Sequence, residues 1–171
     1  IRRMAGTSAL IAQAMGLPER EVELIKSASP MHDIGKIGIP DAVLQKPGPL
    51  TPEERLVMEK HPLIGAEILG HSTNKLMAAA REVSLAHHER WNGQGYPNRV
   101  AGDQIPLSGR IVGLADVFDA LASKRCYKAA MPLAKILEII SAERGKHFDP
   151  QCVDALMIAL DDVLKIYGMD G

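Results

Sequence analysis

Imidazoles and carboxylates recur down this 171-residue chain roughly once per helical hairpin: His32-Asp33, His61, the pair His87-His88, then Asp116. Four of the six histidines lie in this array, and only His71 and His147 fall outside it. Nitrogen and oxygen donors without a thiolate make a borderline-hard metal site, one that fits Fe, Mn, Ni, Co or Zn. Several such groups brought together suggest more than one divalent ion. An Asp beside a His can bridge two ions while the His binds one of them.

Each group also has a bland reading. A lone His-Asp dipeptide says little, His61 before Pro62 could serve as a cap, and His87-His88 could be a half-buried pair. Asp116 is harder to dismiss. It lies within the apolar stretch IVGLADVFDAL (residues 111–121), where an unpaired carboxylate is costly and wants a cation nearby. Asp119 shares its helical face at i+3, where support for a metal ligand and plain solvation are equally good readings. His71 and His147 read as surface or capping residues.

The elements that must position these groups are helical, with no run of strand-type alternation. A first helix ends near Gly16 and a second runs from about Glu19 toward His32-Asp33, with Pro30 expected to end it. Residues 34–50 hold three glycines and three prolines and read as a structured loop. Thr51-Pro52-Glu53-Glu54 starts a helix with a capping box. Another begins at His61-Pro62 and stops near Gly70, and Asn74 to Ala86 forms a helix leading into His87-His88. Adjacent residues differ by about 100° around a helix, so both imidazoles can point inward only at an irregular end. The loop over 89–106, with Gly95-Tyr96-Pro97, supplies one. Helices follow over about 108–124, 132–144 and 150–167, the last opened by Asp149 as cap and Pro150. The expected fold is a single all-α bundle of about seven helices.

Composition bounds the function. A net charge of −1 points to no duplex nucleic acid and no membrane surface, so an anionic substrate needs a local cation cluster. No apolar run approaches the roughly 20 residues of a membrane helix. Two cysteines without paired spacing (Cys126 and Cys152) and no leader pattern suggest a reduced cytoplasmic protein. The opening at Ile1, already inside a helical pattern, reads as a piece of a longer polypeptide.

The order of motifs resembles one family. His32-Asp33-Ile34-Gly35-Lys36-Ile37-Gly38-Ile39-Pro40 is followed by Lys46-Pro47-Gly48, His61-Pro62 and Gly65. Then come His87-His88-Glu89-Arg90-Trp91-Asn92-Gly93, Gly95-Tyr96-Pro97, Gly102, Ile105-Pro106, Arg110-Ile111, Ala115-Asp116-Val117-Phe118-Asp119-Ala120-Leu121 and Phe148-Asp149-Pro150. Over essentially its whole length the chain resembles the HD-GYP branch of the HD-domain phosphohydrolases, which cleave cyclic di-GMP. The resemblance implies that Asp33 bridges two ions, one held with His32 and Asp116, the other with His61, His87 and His88. Fe or Mn is favoured. Lys36, Arg125 and Lys128 match positions that contact the substrate phosphate, and Tyr96 stands in the signature loop at the mouth of the site. Upstream of such a domain a receiver or other sensor is expected.

The chain also departs from that pattern. A further ligating His, and in some members a Glu, would fall before Ile1, so two and three ions both stay open, and this stretch alone is expected to retain metal poorly. Where many members read Arg-Pro-Tyr-Lys, this chain has Arg125-Cys126-Tyr127-Lys128, which keeps the cations but loses proline's fixed φ.

The resulting expectation is a metal-dependent phosphodiesterase that opens cyclic di-GMP to pGpG, and onward to GMP, by a hydroxide held between ions. Asp33 anchors the ions and Lys36 takes a non-bridging phosphate oxygen. Trp91 and Tyr96 are the candidates to stack on a base, with the core the better reading for Trp91. The runner-up is another cyclic dinucleotide, such as a mixed GMP-AMP ring. A second class is a signalling module whose Gly-Tyr-Pro loop docks diguanylate cyclases or adaptor proteins. A third, oxidation at two irons, is disfavoured by the phosphate-type cations.

Overall fold

A computed structural model describes residues 1–123 and 131–169. The described chain is all-α, as expected. Its helices are α1 (Arg2–Ala14), α2 (Glu19–Ala28), α3 (Asp41–Leu44), α4 (Pro52–Met58), α5 (His61–Leu69), α6 (Lys75–Ala86), α7 (Leu107–Ala122), α8 (Leu133–Ala142), α9 (Pro150–Ile158) and α10 (Leu160–Tyr167). The tally exceeds seven for two reasons. Residues 34–50 contain a tight 3-10 helix over Ile34–Gly38 and the single turn α3 rather than open loop. The stretch 150–167 breaks at Ala159, where neither Gly nor Pro marks it in the sequence.

Local chemistry explains several ends. The Thr51 hydroxyl accepts from the Glu54 backbone N–H, and Glu54 returns to the Thr51 N–H, so the capping box forms. Asn74 accepts from two amides of the first turn of α6, and Asp149 caps α9 through the Gln151 N–H.

Helix α7 runs through the middle of the bundle. Ile111, Val112, Leu114, Ala115 and Phe118 are all fully buried, and they pack with Met4 and Ile11 of α1, Val83 of α6 and Leu156 of α9 in one core. Each of these side chains larger than alanine contributes roughly 1.5–3 kcal/mol by leaving water. Asp119 leaves the site altogether. Its Oδ1 accepts from the Tyr167 hydroxyl at 2.9 Å and lies 3.6 Å from Arg3 Nε, tying α1 and α10 to α7. It therefore neither supports a metal ligand nor sits solvated on a helix face.

Two close approaches set the depth of the ligand-bearing segments. A Cβ at Gly35 would run into the His61 carbonyl and the Gly65 amide, so the 3-10 turn after Asp33 seats directly on α5. A Cβ at Gly113 would lie 2.6 Å from the His87 carbonyl, so α7 reaches the end of α6 only without a side chain there. Gly35→Ala should cost about 1–3 kcal/mol by overpacking and weaken metal binding by moving Asp33 from His61. Urea unfolding alongside a metal titration checks both; a variant with wild-type values for the two would show that the turn yields freely.

Candidate metal centre

The structure brings His32, Asp33, His61, His87, His88 and Asp116 together from four parts of the fold. His32 and Asp33 lie in the turn between Met31 and Ile34, with Asp33 in the sparsely occupied bridge region (φ −100°, ψ 9°). His61 opens α5, His87 ends α6 at its C-cap, and Asp116 comes from α7. The irregular end needed for both imidazoles of the pair to point inward is that C-cap.

The Asp33 carboxylate is the hub. Its Oδ1 lies 3.3 Å from His61 Nε2 and 3.7 Å from His87 Nε2. Its Oδ2 lies 3.3 Å from His32 Nε2, which is in turn 3.6 Å from Asp116 Oδ1. Donor atoms of Asp33, His61, His87 and His88 all fall within 4.8 Å of one another. One carboxylate thus faces two ligand groups, one on each oxygen. Lys36 is at the same place, with Nζ 2.6 Å from Asp33 Oδ2.

Backbone carbonyls orient three of the four rings. His32 Nδ1 donates to the Ser29 carbonyl (2.7 Å), His61 Nδ1 to that of Met58 (2.8 Å), and His87 Nδ1 to that of Ser84 (2.9 Å). A carbonyl only accepts, so Nδ1 carries a proton in each case and Nε2 is the nitrogen aimed at the cluster. These three side chains are 7 %, 2 % and 0 % exposed, whereas Asp33 and Asp116 are 33 % and 36 % exposed. Solvent therefore reaches the cluster over its carboxylates.

Electrostatics follow from that burial. Desolvation pulls His32 down, but hydrogen bonds to Asp116 and Asp33 outweigh it and push its pKa up to about 10. Burial raises Asp33, yet its contacts with His32, His61 and His87 hold it far below the usual carboxylate range. Asp116 is lowered in the same way, burial losing to the His32 hydrogen bond. Burial, then the neighbouring His87 and His61, depress His88 to about 2, and His87 falls chiefly through burial. Asp33 and Asp116 are thus held as carboxylates and His87 and His88 as neutral imidazoles, the forms a metal requires, whereas His32, raised by its two carboxylate neighbours, has to shed its Nε2 proton before it can ligate. The fit has a direct sign: Asp33 Oδ1 is buried without a hydrogen-bond donor, facing imidazole nitrogens. Such an orphaned oxygen among lone pairs suits a cation.

The loop that follows is nailed in place. Glu89 Oε1 accepts from the Asn98 backbone N–H at 2.7 Å, and Tyr96 N–H donates to the His88 carbonyl at 3.2 Å. Trp91 and Asn92 N–H groups donate to the His147 and Lys146 carbonyls. Arg110 joins the two loops: it donates to the Ile105 carbonyl, pairs with Asp149 Oδ2 at 2.8 Å, and lies over the Trp91 ring. Trp91 is half-buried in that clamp, consistent with a core role. The Arg110–Asp149 and Glu89–Asn98 ties escaped sequence reasoning beyond the helix cap at Asp149; Arg110-Ile111 and Phe148-Asp149-Pro150 stand in the motif series without any sign that they pair.

Tyr96 stacks on His88, with centroids 4.7 Å apart and planes at 19°. Arg125 and Lys128, expected at the substrate phosphate, lie outside the described residues, as does Cys126. His71 is exposed, as expected. His147 is not a surface residue: it is half-buried and stacks on Phe148 at 4.2 Å. Burial, then the charge of Arg90, lowers it from 6.5 to about 4. The folded state therefore resists protonating a group that the unfolded chain protonates below about 6.5. This contribution is present above that pH and lost as pH falls toward about 4. Allowing for solvent screening of a partly exposed ring, the loss is on the order of 1–2 kcal/mol. Between pH 7 and 4 the unfolding free energy of wild type should fall by that amount relative to that of His147→Phe; parallel curves would contradict it.

Comparison with known proteins gives four findings. The profile of the HD domain family matches residues 1–152. The cyclic di-GMP phosphodiesterase response regulator RpfG of Xanthomonas campestris is 50 % identical over 168 residues, covering 98 % of this chain and 44 % of its own length. The 3'3'-cGAMP-specific phosphodiesterase 2 of Vibrio cholerae is 46 % identical over 166 residues, 97 % of this chain and 32 % of that protein. A solved HDG"Y"P protein from Bdellovibrio bacteriovorus superposes with a TM-score of 0.69 at 23 % identity, over 95 % of this chain and 50 % of that one. The chain spans about a third to under half the length of these curated relatives.

Proposed function

We propose this chain's function from one premise: it belongs to the HD domain family, in the HD-GYP branch that carries the Gly-Tyr-Pro loop. Its activity is hydrolysis of cyclic di-GMP to pGpG, and onward to GMP. The observation that carries the reading is the Asp33 carboxylate, whose two oxygens face two separate ligand groups. His32, Asp33 and Asp116 would hold one divalent ion, and Asp33, His61, His87 and His88 the other. Fe or Mn is the favoured metal, with Ni, Co and Zn also suited to the donor set. A third ion belongs to the reading only if further ligands precede Ile1.

When bound, such ions act as Lewis acids that activate water near neutral pH and neutralise phosphoryl charge. The chain's own residues do the rest. Carbonyls of Ser29, Met58 and Ser84 hold the Nδ1–H of three imidazoles and so aim Nε2 at the cluster. The half-open carboxylate side admits an anionic phosphodiester. Lys36, whose Nζ lies 2.6 Å from Asp33 Oδ2, supplies a positive point charge to a non-bridging oxygen once the ions compete for Asp33. Arg125 and Lys128 serve the same phosphate, Arg125 as a two-toothed grip. Among the described residues no helix is long and apolar enough to cross a membrane, and a cytoplasmic location suits a nucleotide substrate.

A second reading has its own support, since a relative named for 3'3'-cGAMP is 46 % identical across nearly the whole chain. Docking of a diguanylate cyclase or adaptor on the Gly-Tyr-Pro loop is compatible with either substrate. The full-length protein, loaded with Mn(II) or Fe(II), is given each dinucleotide separately and kcat/KM compared. Preference for cyclic di-GMP supports the first reading, and preference for the mixed ring transfers the assignment to the second.

A further inference from the structure

We propose that Tyr96 is a positioning residue for His88, its ring doing for that imidazole what a backbone carbonyl does for each of the other three. The inference rests on the reading of His88 as a metal ligand and deepens it.

Among the described residues His88 is the one histidine of the cluster with no hydrogen bond at either ring nitrogen; His32, His61 and His87 all have Nδ1 tied to a carbonyl. The torsion that turns an imidazole about its Cβ–Cγ bond has a broad, shallow minimum, so a ring without such a tie is poorly aimed. His88 is held by flat neighbours instead. Tyr96 stacks on one face at 4.7 Å, nearly parallel. His87 lies at 4.0 Å, tilted by 45°, and His61 at 4.9 Å, edge-on. Only Tyr96 among these three is not itself in the ligand set.

The rest of the loop serves that contact. Tyr96 N–H donates to the His88 carbonyl, so the same two residues meet through backbone and ring. A Cβ at Gly95 would lie 2.5 Å from that carbonyl and 2.6 Å from the Glu89 Cα, so only glycine lets the strand of loop lie this close. On the far side of Tyr96, Glu89 grips the Asn98 amide. The Gly-Tyr-Pro segment is thus pinned before and after Tyr96 to the residues that flank His88. With one ring face committed to His88, a single face of Tyr96 remains for a substrate base.

The test uses Tyr96→Phe, which keeps the ring, and Tyr96→Leu, which keeps apolar bulk without it; Tyr96→Met stands in if the Leu variant fails to fold. Co(II) is titrated into the full-length protein while its visible d–d absorption is followed, bound metal is counted after desalting, and thermal midpoints are recorded. Losing the partner that orients a ligand typically costs 10–100-fold in metal affinity. The expected result is such a loss for one ion in the Leu variant, with an altered spectrum and an unchanged midpoint, while the Phe variant matches wild type. Equal Co(II) affinity in Leu and wild type would overturn the inference alone, as would equal weakening in Phe and Leu. Wild-type protein that binds no ion at His61, His87 and His88 would overturn the ligand assignment and the inference with it.

Discussion

Asp33→Ala is expected to lose at least one bound ion and to fall in turnover by about 10³-fold or more. A metal's charge stabilisation is worth several kcal/mol, and each ~1.4 kcal/mol is tenfold in rate. The size of the effect follows from position. Among the described residues Asp33 is the one side chain that reaches His61 and His87 through one oxygen and His32 and Lys36 through the other. Removing it separates the two ligand groups and leaves Lys36 without its carboxylate. Asp33→Asn keeps one oxygen and the shape but not the charge, so it should retain partial metal and little activity. Elemental analysis of desalted protein and initial rates on cyclic di-GMP measure the two effects together. Wild-type metal content in Asp33→Ala would remove its bridging role.

Asp149→Ala should be the most destabilising change away from the ligands, by about 3–5 kcal/mol. Asp149 is 1 % exposed and its partner Arg110 14 %, so the substitution leaves a mostly buried guanidinium with only the longer 3.5 Å contact to exposed Asp103 rather than trimming a surface pair. The N-cap of α9 is lost as well, typically worth ~1 kcal/mol. The same arginine bonds the Ile105 carbonyl and covers Trp91, so the loop after His88 should loosen before the bundle unfolds. Urea denaturation of Asp149→Ala and of the gentler Asp149→Asn reads the loss. A cost under 1 kcal/mol for the Ala variant would mean that Arg110 finds another partner at little expense.

Much of the site can be read from the chain because ligand chemistry restricts residue type. Few side chains bind a borderline metal, and His32, Asp33, His61, His87, His88 and Asp116 recur at helical-hairpin spacing. Helix starts at Thr51, Asn74 and Asp149 were legible for a similar reason, each being a local hydrogen bond between near neighbours. What stayed hidden depends on long-range packing. Asp119 pairs with Tyr167 and Arg3, residues more than forty positions away in either direction, so i+3 spacing from Asp116 misleads. His147 looks like a surface residue until Phe148 stacks on it. The break at Ala159 has no Gly or Pro to announce it, and Ile34–Gly38 and Asp41–Leu44 are turns too short to leave a periodic signal. Tyr96 was visible as a member of a motif but not as the neighbour of His88.

In the proposed function two divalent ions, with Asp33 as their common ligand, would make this fold a cyclic dinucleotide phosphodiesterase. The most direct test strips the full-length protein with a chelator and restores Mn(II) stepwise, counting bound ions per chain while timing the opening of cyclic di-GMP. The expected result is no turnover without metal, little with one ion, and a rise that tracks occupancy of the second. Undiminished turnover by the stripped protein would rule out a metal-dependent reaction, and a protein saturated with Mn(II) and with Fe(II) that leaves every cyclic dinucleotide intact would rule out the activity.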